Sequence, residues 1–125
     1  FTMLGATTAF AQKSDGQWTR GKGFDTFCPI GPEWAGVPPL DAITVVTRVN
    51  GEEKQRGNTG DLVFAIPDLL SYISHIMTLE PGDVVATGTP AGDGPVSLLV
   101  DEIGDVVEVE LVGYSTVSNP VELQA

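Results

Sequence analysis

The sequence predicts a mostly β fold with one principal helix, an α+β class, and three observations carry that prediction. The 125 residues include 15 glycines and nine prolines, a proportion typical of a chain with many turns. Residues 41–50 alternate in the manner of a strand, and residues 66–77 repeat apolar side chains at near-helical spacing. The length fits one domain, and 42% apolar with 18% charged residues is an ordinary globular composition.

The first predicted elements are a short extended segment and, after it, a β-hairpin. Residues 24–30 alternate loosely before Gly31-Pro32 and predict a short extended segment; within it, Cys28 is expected to pack in the interior. Asn50-Gly51 supplies the positive φ that a type I′ turn needs, so residues 52–56 are expected to return as a charged, exposed strand and residues 57–60 as a loop. Before the turn, alternate positions share a face: Ile43, Val45, Thr47 and Val49 on one side, Thr44, Val46 and Arg48 on the other.

A helix is predicted to begin at Ile66, with Pro67 tolerated in its first turn. It is expected to extend for about three turns and to stop before Pro81, since a residue that precedes proline disfavours the helical conformation. His75, the only histidine, is interpreted as a surface residue. The predicted apolar face consists of Leu69, Leu70, Ile73, Ile76 and Met77.

The chain is organised around residues 77–90, MTLEPGDVVATGTP. A turn at Pro81-Gly82 is expected to lead into a short buried strand that breaks at residues 87–90, a suitable way to present a loop to a ligand. There the Thr89 hydroxyl can bind a carboxylate, helped by the amides of Thr87 and Gly88; local capping of the turn is the alternative. Beyond this loop, residues 107–111 predict a half-buried strand, and residues 116–121 a final short one.

Composition excludes several classes of function. The net charge of −11 argues against nucleic-acid binding, which needs clustered Lys and Arg. A single cysteine excludes an internal disulfide, and no apolar run approaches the roughly 20 residues that span a bilayer. A cytoplasmic protein is therefore expected. Residues 1–12 fit either a processed secretory start or the end of a strand that begins upstream of a truncated N-terminus, and the second interpretation is favoured.

Three motifs, covering roughly residues 17–122, resemble hallmarks of the fumarylacetoacetate hydrolase family in the family's order. The branch they resemble contains 2-hydroxyhepta-2,4-diene-1,7-dioate isomerases, acylpyruvases and oxaloacetate decarboxylases. The resemblance implies an incomplete β-roll-like C-terminal fold. Residues 17–125 are expected to be the C-terminal portion of the catalytic domain, after an atypical segment, residues 1–16, that is truncated or divergent. The motifs are residues 22–32 (KGFDTFCPIGP), residues 49–52 with Gln55 and Asn58-Thr59, and residues 77–90.

The resemblance also implies an activity and a partner. Family enzymes act on 2-oxo or β-diketo carboxylates by C–C hydrolysis, decarboxylation or isomerisation through a metal-stabilised enolate, and they form homodimers. On this basis Lys22 is the predicted catalytic residue, and Lys22, Thr26, Thr89, Gly88 and Gln55 are the predicted substrate-binding residues. From the residues alone, the favoured interpretation of Lys22 is a solvated surface lysine, and that of Gln55 is a solvated residue at the end of the hairpin; the resemblance reverses the first of these.

The metal ligands are the point at which the chain departs from the family pattern. The resemblance implies Mg²⁺ or Mn²⁺ bound by three carboxylates, with a His-Glu pair as the base. No segment matches the upstream Glu-x-Glu, and Ala6 stands where the third carboxylate is expected, so no metal ligand is predicted within this chain. Two hypotheses follow: the chain is the C-terminal part of an active enzyme, or it is a degenerate or truncated non-catalytic β-domain that retains the fold and dimerisation.

Overall fold

The computed structural model describes residues 17, 19, 22–32, 36, 38–90 and 103–122. The strands of this part form one antiparallel sheet in the order β2-β1-β3-β4, which confirms the prediction of a mostly β fold with one principal helix. In the described ranges, no helix is both long enough and apolar enough to cross a membrane. The elements are β1 (Thr44–Val49), β2 (Glu52–Asn58), α1 (Ile66–Ser74), β3 (Val106–Leu111) and β4 (Ser115–Pro120).

The predicted turn joins β1 to β2 and also ties β1 to β3. Asn50 has φ 52° and Gly51 has φ 81°, the positive values that the Asn-Gly dipeptide predicts. The Asn50 side chain donates from Nδ2 to Asp105 Oδ1 at 2.7 Å and accepts from the Val106 amide at 2.9 Å. One residue therefore shapes the hairpin and fixes the start of β3 beside it.

Strand β2 is longer than predicted. Gly57 and Asn58, expected in a loop, pair with Val45 and Thr44 of β1, because the ladder outweighs the weak strand preference of Gly and Asn. Only beyond them does the chain leave the sheet, in a 3-10 turn over Thr59–Asp61.

The sheet has an apolar and a charged face. Ile43 and Leu111, 1% and 4% exposed, form the centre of the core on the apolar side. On the charged face, Val46 is completely buried between its ladder partners, Arg56 and Glu110. The apolar face is defined by Val45, Thr47 and Val49 of β1 with their partners Val107, Val109 and Leu111 of β3. The charged face is defined by two ion pairs: Arg48 bonds Glu110 at 2.7 Å, and Arg56 bonds Glu53 at 2.6 Å.

Helix α1 ends at Ser74, earlier than the periodicity predicts. The carbonyl oxygen of Ser71 accepts from the Ser74 hydroxyl at 2.8 Å and lies 2.6 Å from His75 Nδ1. Such side-chain bonds compete with the backbone ladder, so the chain continues past His75 in turns rather than helix. His75 is exposed, as predicted, and no residue of the helix is buried.

Two other predictions of extended structure are wrong. The turn at Pro81-Gly82 forms, with Gly82 at φ 100°, but residues 83–86 pair with none of the four described strands, and Val84 is 52% exposed. A segment without a ladder partner is not a strand. In the segment 24–30, Phe27 N–H donates to Phe24 O at 3.2 Å and the two rings lie 5.2 Å apart, which closes a turn and leaves Cys28 exposed.

Candidate functional site

The structure brings together two of the predicted site residues, Gln55 and Thr89, which are 34 positions apart. Gln55 Nε2 lies 2.9 Å from Thr89 Oγ1 and 2.9 Å from the carbonyl oxygen of Pro90. The turn over residues 87–90, which has no strand pairing, is therefore attached to the edge strand β2 by one side-chain amide. We call this contact the turn anchor: Gln55, Thr89 and Pro90.

A third side chain supports the turn anchor from within the sheet. Thr47 is the ladder partner of Gln55 and is 6% exposed. Its hydroxyl donates to Gln55 Oε1 at 3.4 Å, a long hydrogen bond. The amide of Gln55 is thus contacted at both its oxygen and its nitrogen, and its orientation is fixed by neighbours on two elements.

Gly57 provides the space that the turn anchor needs. A Cβ placed on Gly57 would lie 2.4 Å from Pro90 Cβ and 2.7 Å from Pro90 Cγ. Pro90 therefore rests directly on the backbone of β2, where no residue larger than glycine fits without movement. Neither Thr47 nor Gly57 was predicted as a site residue. A glycine two positions after Gln55 in an extended run is the signal that could have identified the second of them.

The turn itself exposes hydrogen-bonding groups to solvent. Gly88 has φ 105°, a backbone conformation that residues other than glycine rarely adopt. Thr87, Gly88 and Thr89 are all exposed. Backbone amides and a hydroxyl in such a turn form a suitable surface for a small anion such as a carboxylate.

Lys22 and Thr26 lie in the segment before β1, and both are exposed. Thr26 has φ 66°, an unusual backbone conformation for a β-branched residue. A shallow depression in this segment is lined, among the described residues, by Gln17, Thr19, Gly23 and Phe24. That Lys22 and Thr26 meet Thr89 around one carboxylate stays a prediction.

The described residues do not fit a divalent metal ion. Among them, no group of three or more His, Cys, Asp or Glu side chains is placed to hold one. Mg²⁺ and Mn²⁺ need several oxygen ligands, which the turn anchor does not supply. The region around Ala6, where the sequence pattern places a ligand, lies outside the described residues.

The sequence model of the fumarylacetoacetate (FAA) hydrolase C-terminal domain matches residues 2–122. The chain belongs to the fumarylacetoacetate hydrolase family. It is 44% identical over 105 residues to the mitochondrial oxaloacetate decarboxylase of Dictyostelium discoideum, a match that covers 79% of this chain and 44% of that protein. The chain spans about half the length, or less, of the curated relatives it matches.

Solved structures of the fumarylacetoacetate hydrolase family have the same fold. The 2-hydroxyhepta-2,4-diene-1,7-dioate isomerase of Mycobacterium marinum matches with a TM-score of 0.77 and 45% identity, over 90% of this chain and 42% of that one. The maleylpyruvate hydrolase of Sphingobium sp. SYK-6, in complex with manganese(II) and pyruvate, matches with a TM-score of 0.72 and 34% identity, over 86% of this chain and 40% of that one. The similar proteins thus include a decarboxylase, an isomerase and a hydrolase.

Proposed function

We propose that the protein containing this chain is an enzyme that acts on small 2-oxo or β-diketo carboxylates, and that this chain supplies the part that holds the substrate's carboxylate. The observation that carries the proposal is the turn anchor. It holds an exposed threonine hydroxyl, beside a glycine with positive φ, on a strand of the sheet. A fixed hydroxyl and neighbouring amides are the groups expected to bind a carboxylate.

Four of the five predicted site residues contact the substrate in this proposal, and the fifth, Gln55, holds Thr89 through the turn anchor. The Thr89 hydroxyl donates a hydrogen bond to the carboxylate, and the amide of Gly88 adds a second donor. The Lys22 ammonium supplies positive charge to the acid or oxo group, and the Thr26 hydroxyl contacts the same region. Lys22 is the residue we assign to catalysis, because a cation beside the oxo group favours the negative charge that develops there.

The class of reaction is proposed from the similar proteins. A decarboxylase, an isomerase and a hydrolase all require an electron pair to be accommodated next to a carbonyl group, as an enolate. Residues that hold the acid end of the substrate serve all three reactions equally. We therefore propose carbon–carbon hydrolysis, decarboxylation or isomerisation of an oxo acid as the activity.

Several features of the complete enzyme are part of the proposal. We propose that it uses Mg²⁺ or Mn²⁺, as the manganese complex of the Sphingobium hydrolase supports. Because the described residues do not fit the ion, its ligands would be other residues. We further propose that residues 17–125 belong to the catalytic domain, that the enzyme is a homodimer, and that it is cytoplasmic.

The experiment that tests the proposal is turnover by the full-length protein. Oxaloacetate and an acylpyruvate are supplied with Mg²⁺ or Mn²⁺, and Thr89→Val, which removes the hydroxyl and keeps the shape, is compared with the wild type. Loss of one hydrogen bond to a charged group is expected to lower kcat/KM by about 10–100-fold.

A matched control is Thr116→Val, an exposed threonine on β4 whose ladder partner is Glu110, on the charged face. It is expected to leave kcat/KM within about twofold, as surface substitutions have small effects. No turnover of either substrate by the wild type would contradict the proposal and favour a non-catalytic β-domain. Equal activity of Thr89→Val and the wild type would contradict the role of the turn.

A further inference from the structure

The orientation of the Gln55 amide follows from the chemistry of its neighbours. The Pro90 carbonyl oxygen can only accept a hydrogen bond, so the amide atom 2.9 Å from it must be the donor nitrogen. The amide oxygen then faces the Thr47 hydroxyl, which can donate to it. A carboxylate in place of this amide would set an acceptor against the carbonyl of Pro90.

This orientation determines which way the Thr89 hydroxyl can act. The same nitrogen lies 2.9 Å from Thr89 Oγ1, and its second hydrogen donates to that oxygen. A hydroxyl that accepts from Gln55 keeps its own hydrogen for another partner. Since Thr89 is exposed, that hydrogen can reach a ligand or water.

We propose that Gln55 is a positioning residue that makes Thr89 a hydrogen-bond donor toward the substrate's carboxylate. Gln55 acts through Thr89: both hydrogens of its amide are used within the turn anchor, so they are not available to the substrate. The site thereby favours an anionic acceptor over a ligand that offers a donor at this place. This inference rests on the proposed function, because it takes the carboxylate site at Thr89 as given.

The test measures binding rather than turnover, with pyruvate as the probe in the presence of Mn²⁺ and the full-length protein. Gln55→Glu keeps the size of the side chain but removes both donors, so the Thr89 hydroxyl donates to the introduced carboxylate instead of to a ligand. The Kd of this variant for pyruvate is expected to rise by about 10–100-fold, at least as much as the Kd of Thr89→Val. Gln55→Met, which has neither charge nor donor, serves as a second variant with a smaller expected rise.

The double variant Gln55→Glu/Thr89→Val separates positioning from a structural role. If Gln55 acts through Thr89, the Kd of the double variant for pyruvate is no higher than that of whichever single variant binds pyruvate more weakly, because the pair acts as a unit. If Gln55 only supports the sheet, the two effects on Kd multiply. Multiplying effects, or a Kd for Gln55→Glu within twofold of the wild type while Thr89→Val is weakened, would overturn the inference and leave the proposed function in place.

A measurement on the wild type keeps the test valid if the variants fold poorly. In the NMR spectrum, the side-chain amide of Gln55 is expected to shift when pyruvate binds, because its acceptor Thr89 then donates to a charged group. An unmoved Gln55 signal at saturating pyruvate would also overturn the inference. If neither Thr89→Val nor Gln55→Glu alters the Kd, the carboxylate site at Thr89 is wrong, and the inference is wrong with it.

Discussion

Substituting Gly57 by alanine is expected to displace the turn anchor. The new Cβ would lie 2.4 Å from Pro90 Cβ and 2.7 Å from Pro90 Cγ, whereas carbon atoms in contact lie about 3.5–4.0 Å apart. Pro90 must therefore retreat by about 1 Å. The two hydrogen bonds from Gln55, both 2.9 Å, would then lengthen beyond the usual limit of about 3.2 Å.

The expected magnitude follows from three contributions. Overpacking costs about 1–3 kcal/mol, and the loss of two hydrogen bonds costs about 1–3 kcal/mol. Alanine is preferred over glycine within a strand by about 0.5–1 kcal/mol, which offsets part of this. We expect Gly57→Ala to lower the free energy of unfolding by about 1–3 kcal/mol, since the turn can partly detach instead of bearing the full strain. A 1 Å displacement of Thr89 is expected to weaken pyruvate binding by about 10–100-fold.

Denaturant unfolding and pyruvate titration of the full-length protein measure both effects. The compensating variant is Pro90→Gly in the Gly57→Ala background, which removes the two ring carbons that the methyl group would strike. It is expected to recover part of the lost affinity relative to Gly57→Ala, with Pro90→Gly alone as the reference. If Gly57→Ala binds pyruvate normally and unfolds at the wild-type denaturant concentration, the close contact between β2 and the turn is not needed, and the reasoning fails.

Two further predictions concern the sheet. Asn50→Ala is expected to lower the free energy of unfolding by about 2–4 kcal/mol, measured in denaturant experiments. It adds strain at φ 52° and removes the hydrogen bonds to Asp105 and Val106. Asn50→Gly keeps the turn and is expected to lower the free energy of unfolding by about half as much. The hydrogen bonds from Arg56, with its charge, lower the pKa of Glu53 below the ordinary value of a glutamate. This pair therefore stabilises the fold above that ordinary value, and the contribution is lost as the pH falls through the lowered pKa. An NMR titration of Glu53 should show its pKa return toward the ordinary value in Arg56→Gln, and an unchanged pKa in that variant would contradict the assignment.

The parts of the fold that are encoded locally could be predicted from the sequence. The Asn50-Gly51 turn, the alternation of residues 107–111 and the start of α1 each depend on residues that lie close together in the chain. The end of α1 could not, because Ser71 O accepts bonds from side chains whose rotamers no periodicity reveals. Residues 83–86 have the composition of a strand, but pairing with a neighbour decides whether a strand forms.

The candidate site was predicted as residue types but not as a set of contacts. Thr89 and Gln55 could be selected from their motifs, yet nothing in their spacing shows that one donates to the other. The roles of Thr47 and Gly57 follow only from the ladder that places them beside Gln55. Contacts between distant segments depend on the register of the sheet, and the sequence does not state that register.

A single irregularity in β2 sets the register that makes the turn anchor. The ladder pairs Arg48 with Glu53 but Thr47 with Gln55, so Lys54 is an extra residue, a β-bulge. Without the bulge, a regular hairpin would pair Gln55 with Val46, and its side chain would lie on the charged face. A shift of one residue exchanges the faces of a strand, so the bulge brings Gln55 to the apolar face, where residues 87–90 dock. The position of Thr89 thus depends on the bulge at Lys54, whose ammonium is paired with Glu52 at 2.8 Å.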